Sequence, residues 1–140
     1  INYTANGSGA GQKAILDNTS DFGATDDPMK DEDLKNTDIL HIPTVLGAVV
    51  LTYNLPDVKE PLKLTADTIA GIYLGNIKKW NDPRIKADNP NLNLPDADIS
   101  PVYRADSSGT TAVFTDFLSG ANAEWKEKIG RTKNPQLPQG

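Results

Sequence analysis

The chain has 140 residues, 37% of them hydrophobic, with a formal charge of −5 and no cysteine. That length supports one core of ordinary size, and the acidic balance argues against nucleic acid, which rewards clustered Lys and Arg. No apolar run approaches the roughly 20 residues that span a bilayer, and without cysteine there is no disulfide, thiol catalyst or thiolate metal site.

Residues 1–4, Ile1-Asn2-Tyr3-Thr4, read as a short strand. The run Asn6-Gly7-Ser8-Gly9-Ala10-Gly11 then leads into a helix expected over residues 9–18. A second strand is expected at 21–24 and a short helix at Asp31-Glu32-Asp33-Leu34. The apolar run over 44–54, reached through Ile39-Leu40-His41-Ile42-Pro43, reads as a long strand. Thr65 is placed to cap a helix running toward Tyr73, and Lys78-Lys79-Trp80 reads as a partly exposed helix end. Asn89-Pro90-Asn91-Leu92-Asn93-Leu94-Pro95 is a loop by composition. Ile99-Ser100-Pro101-Val102-Tyr103 has strand character, Thr111 to Leu118 carries apolar residues at helical spacing, and Asn122 to Ile129 reads as a final helix holding Trp125. Alternating strands and helices imply an α/β architecture.

Two of these junctions carry chemistry. Arg104-Ala105-Asp106-Ser107-Ser108-Gly109-Thr110-Thr111 places a guanidinium, a carboxylate able to orient it, and Ser-Gly-Thr at the start of a helix. A helix N-terminus leaves about four amides without intrahelical partners and carries partial positive charge. Small residues let an oxyanion approach those amides, and hydroxyls add donors. An ordinary Ser N-cap beside a surface Arg would look the same. The earlier junction repeats the pattern, with Ser8 placed where its hydroxyl and nearby amides can meet an anion. Nucleotide motifs do not fit. Lys13 follows Gln12 and precedes Ala14, which breaks the Walker pattern, and Gly7, Gly9 and Gly11 are evenly spaced, which breaks the dinucleotide fingerprint.

The segments Gly7-Ser8-Gly9-Ala10-Gly11, Asp21-Phe22-Gly23-Ala24-Thr25-Asp26, Ile42-Pro43-Thr44-Val45-Leu46-Gly47-Ala48-Val49-Val50, Ile72-Tyr73-Leu74-Gly75-Asn76-Ile77-Lys78-Lys79-Trp80 and the Arg104 to Thr110 run together resemble the periplasmic phosphate-binding proteins of bacterial ABC-type phosphate importers. They stand in that family's order and cover nearly the whole chain. The resemblance implies a periplasmic-binding-protein-like (type II) two-lobe α/β fold, here incomplete, with a mixed sheet and helices on both faces. Residues 1–46 would belong to the first lobe, lacking its opening strand and first helix, and residues 47–140 to the first part of the second. The missing strand would be supplied by a complementary polypeptide segment or a domain-swapped copy, since open sheet edges are association-prone. Alone, the chain is expected to bind phosphate weakly or not at all.

The resemblance assigns inorganic phosphate contacts to Ser8, Asp26, Arg104, Ser108, Gly109 and Thr110, with Asp106 orienting Arg104. Arg supplies a planar fork for two oxygens, the hydroxyls donate, and Gly109 offers an amide with no side chain in the way. Asp26 fits if the ligand keeps a proton, because a carboxylate only accepts hydrogen bonds. Hydrogen phosphate can donate that bond and sulfate cannot.

The implied function is non-catalytic: phosphate is bound between two lobes and delivered to the permease of an ABC importer. Localisation would be periplasmic or extracytoplasmic, with a membrane anchor an option for the full-length protein. A family relative reused for adhesion, sensing or inhibition is the alternative. A phosphate-handling or serine hydrolase is weaker, because His41 is the only histidine available as a base and no Gly-x-Ser-x-Gly elbow occurs. No cofactor or metal is implied. Asp26-Asp27 and Asp31-Glu32-Asp33 lack the spacing of a calcium loop and read as solvated turn acids, while His41 reads as structural.

Overall fold

Capping side chains mark the starts of four helices. A computed structural model describes residues 1–138. Within them lie α1 (Ser8–Leu16), α2 (Asp31–Leu34), α3 (Ala66–Tyr73), α4 (Pro83–Asp88), α5 (Gly109–Ala121) and α6 (Ala123–Lys128). Thr65, Ser108 and Asn122 each accept a hydrogen bond from the amide three residues on, which satisfies one orphan donor at the start of α3, α5 and α6. α4 was not expected from the sequence, although Asp82-Pro83 is a capping residue followed by proline at the first helical position.

The mixed sheet expected from the sequence is not formed among the described residues. None of the runs 1–4, 21–24, 44–54 and 99–103 pairs into a ladder, and the one pairing there is an isolated antiparallel bridge between Lys79 and Asp98. A strand is completed by its neighbour's backbone, so propensity alone does not make one. Instead Ile42, Val45, Leu46, Val50 and Val102 remain exposed, Leu46 at 99%. The same bridge corrects the reading of Lys78-Lys79-Trp80 as a helix end. α3 stops at Tyr73, and the amide of Trp80 bonds the carbonyl of Ala97 at 3.0 Å.

Burial concentrates on two sides of α3. On one side Ile72, Ile77, Ile85 and Leu94 pack together, flanked by Leu62, Leu64, Trp80 and Ile99. On the other, Ala70 meets Leu118 of α5 and Trp125 of α6, which ties the three helices together. Phe114 stands edge-on to Tyr73 at 5.0 Å and to Trp125 at 5.9 Å, the geometry that ring quadrupoles favour. Trp125 is fully buried and its indole N–H meets no acceptor among the described residues, so packing alone holds it.

Asn89 anchors α4 to the rest. Its amide donates to the carbonyls of Lys63 (2.7 Å) and Ile85 (2.9 Å), while its oxygen accepts from the Lys63 amide at 2.8 Å. Asn89 is 4% exposed, so truncation would remove three hydrogen bonds from a buried position. Asn89→Ala in the full chain is therefore expected to cost about 3 kcal/mol, read as a lowered urea midpoint at unchanged slope.

The chain before α2 folds back onto α5. At Gly11 two backbones touch, since a Cβ there would stand 2.7 Å from the carbonyl oxygen of Ala24. That close approach carries residues 24–27 alongside α1 and toward the start of α5.

Candidate anion-binding site

The N-termini of α1 and α5 meet face to face. Ser8 opens α1 and is buried, and Gly109 opens α5 directly against it. A Cβ on Gly109 would lie 2.5 Å from Ser8 Oγ and 3.0 Å from Asp26 Cβ, so glycine is the residue this approach admits. The amide of Gly9 donates to the carbonyl of Ser107 at 2.9 Å, which braces the two helix starts.

Asp26 lies between them. Its amide donates to Ser8 Oγ at 3.3 Å, and its Oδ2 accepts from Thr110 Oγ1 at 2.9 Å. Ser108 is fully buried, and its Oγ accepts from the Thr111 amide at 3.1 Å, leaving the hydroxyl hydrogen free to donate. Among the described residues no acceptor pairs with the amides of Gly109 and Thr110. Donors therefore cluster at one point: two amides, two serine hydroxyls and, at the rim, a guanidinium.

That guanidinium is Arg104. Its Nε donates to Asp106 Oδ1 at 2.7 Å and a terminal nitrogen donates to Oδ2, a fork that fixes the plane of the group. It lies against Gly7, 3.1 Å from where a Cβ would stand. The Asp106 hydrogen bond, then the charges of Asp106 and Asp26, push the Arg104 pKa up from its ordinary value. The reciprocal hydrogen bond from Arg104 draws the Asp106 carboxyl below the usual carboxylate range. A depressed carboxyl stabilises the fold above its unfolded value, near pH 3.9, and the contribution fades as pH falls through the lower folded value. Acid unfolding should accordingly be shallower below about pH 4 in Asp106→Asn than in the unmodified full chain, measured as denaturation midpoint against pH. Both groups are near half exposed, so the difference will be small.

The six residues expected to contact the anion thus come together, with Asp106 in the orienting place. Side chains bring one positive charge and two negative ones, and two helix starts add about half a positive charge each. The candidate site is therefore close to neutral.

Two features were missed by sequence reasoning. Ser107 braces α1 through its carbonyl, which no side-chain pattern announces. Asp27 is not a solvated turn acid: it is 6% exposed and paired with Arg131 and with Lys133 at 3.3 Å. Its Asp-Pro context suggested an open turn, and its partners lie too far along the chain to be read locally. Asp31, Glu32 and Asp33 do face solvent, as expected. His41 is exposed, and its Nε2 accepts from the Met29 amide at 3.4 Å. Among the described residues no group of His, Cys, Asp or Glu could hold a metal, and no helix is long and apolar enough to cross a membrane.

Comparison with known proteins points the same way. The family model described as PBP superfamily domain matches residues 1–139. The chain is 47% identical over 141 residues to the phosphate-binding protein PstS of Pasteurella multocida, covering 100% of this chain and 41% of that protein. It is 47% identical over 135 residues to the protein of that name in Haemophilus influenzae, covering 96% and 40%. To its namesake in Methanocaldococcus jannaschii it is 43% identical over 146 residues, covering 99% and 38%. The chain thus spans about two fifths of the length of the curated relatives it matches.

Proposed function

This chain belongs to the PBP superfamily, and from that premise we propose that its residues form most of a phosphate site in a solute-binding protein serving an ABC-type importer. The observation that carries the reading is the junction of α1 and α5, where the Asp26 carboxylate stands among the donors of Ser8, Ser108, Gly109 and Thr110. A lone acceptor in a ring of donors suits a tetrahedral oxyanion that still holds a hydrogen. Its three bare oxygens take the amides, hydroxyls and Arg104, and its OH donates to Asp26 Oδ1. Sulfate would bring a bare oxygen to that carboxylate, meeting repulsion and forfeiting a bond.

Residues 1–46 would serve as part of the first lobe and 47–140 as the opening part of the second. Contacts from Ser8 and Asp26 to Gly109 and Thr110 support closure on the ligand across that division. Closing would then work by population shift, with the shut state gaining bonds from both sides. Delivery to a permease, residence outside the cytoplasm and completion of the sheet by a complementary segment or swapped copy follow from the same reading. The protein would be a binder, not an enzyme.

Calorimetric titration of the full-length protein with phosphate, arsenate and sulfate, beside a phosphate-ester turnover assay, tests it. Phosphate and arsenate should bind, sulfate should bind far more weakly, and no ester should turn over. Comparable affinity for sulfate, or multiple turnovers of ester, would overturn the reading.

A further inference from the structure

A buried charge cluster lies beside the proposed anion site and shares no residue with it. Asp27, buried, sits between two cations from the segment after α6: the Arg131 guanidinium donates to Oδ1, and Lys133 Nζ lies 3.3 Å from Oδ2. Lys133 Nζ also donates to Gln12 Oε1 of α1. Gln12 in turn donates to the Asp27 carbonyl at 2.6 Å and to Thr25 Oγ1 at 3.0 Å. The segment that bears the two cations is itself riveted to α5. Buried Thr115 Oγ1 donates to the Thr132 carbonyl at 2.8 Å and accepts from the Thr132 amide at 2.9 Å. The Lys133 carbonyl accepts from the Ser108 amide at 3.1 Å.

Residues 131–133 therefore hold both halves of the anion site. Through Asp27 they grip the residue next to Asp26, and through the Lys133 carbonyl they grip Ser108, the cap of α5. Resting on the phosphate reading above, we propose that Asp27, Arg131 and Lys133 form an ion latch that keeps Asp26 and the α5 N-terminus at the spacing a bound phosphate needs. None of the three touches the ligand; they are positioning residues. Two cations on one buried carboxylate, with Gln12 and Thr25 completing the network, give the latch a fixed geometry that a single exposed pair would lack.

A latch of this kind acts on escape more than on capture. In the full-length protein, Asp27→Asn should raise the phosphate dissociation rate by about tenfold or more with the association rate nearly unchanged, since removing one member of a buried charge pair is felt in dissociation. Arg131→Gln, altering a half-exposed guanidinium while Lys133 remains, should give a smaller rise in the same direction, and Arg131→Lys should recover part of it. Stopped-flow kinetics read both rates. Hydrogen exchange at the Asp26 and Ser108 amides reads the latch without ligand, and should speed up in Asp27→Asn. Dissociation within twofold of the unmodified protein, or unchanged exchange at those amides, would overturn the latch. If the unmodified full-length protein binds no phosphate, the functional reading fails by itself, and amide exchange still decides whether the latch exists.

Discussion

Asp26→Asn in the full-length protein is expected to narrow the preference for phosphate over sulfate by about two orders of magnitude or more, from a starting discrimination that a site of this kind can set at roughly 10⁴–10⁵. The carboxylate takes the Thr110 hydroxyl on Oδ2, and on the proposed reading its other oxygen would meet the ligand. An amide in its place removes the charge that repels sulfate and offers a donor where a bare oxygen would sit. Phosphate loses a charge-assisted bond and sulfate sheds a penalty, so the two affinities converge from both directions. Competition calorimetry at fixed pH measures the ratio. A ratio equal to that of the unmodified protein would mean that Asp26 does not read the ligand's hydrogen.

Gly109→Ala should damage the proposed site through a single methyl group. The added carbon would stand 2.5 Å from Ser8 Oγ and 3.0 Å from the Cβ atoms of Ser8 and Asp26, closer than nonbonded atoms approach. Three of the six proposed contacts would be displaced at once. Overpacking of this order costs about 1–3 kcal/mol, so phosphate affinity should fall by about tenfold to a hundredfold. Combining it with Ser8→Gly removes the atoms that clash from α1 and should return much of the lost melting temperature. Affinity should not return, because the Ser8 hydroxyl is gone. Recovery of both together would show that Ser8 only packs.

The helix starts were legible because the physics that makes them is local. Thr65, Ser108 and Asn122 each bond an amide three residues away, and such a pattern can be read from a handful of letters. The same holds for Arg104 and Asp106, two positions apart, which pair as their spacing suggests. α4 belongs in this group too, since Asp82-Pro83 announces it. The runs at 1–4, 21–24, 44–54 and 99–103 have the composition of strands, but pairing depends on a neighbour that their own letters do not contain.

Asp26 and Asp27 show where the division falls. Side by side in the chain, they look alike as letters: two acids before a proline. One is exposed and meets Thr110, 84 positions away; the other is buried against Arg131, 104 positions away. The sequence by itself determined which side chains could bind an anion, where α1, α3, α5 and α6 begin, and that charge would have to be supplied by dipoles and one Arg. Only the tertiary structure decided which acid faces the site and which is clamped beside it, because burial and ion pairing arise from contacts between segments that chain order keeps far apart.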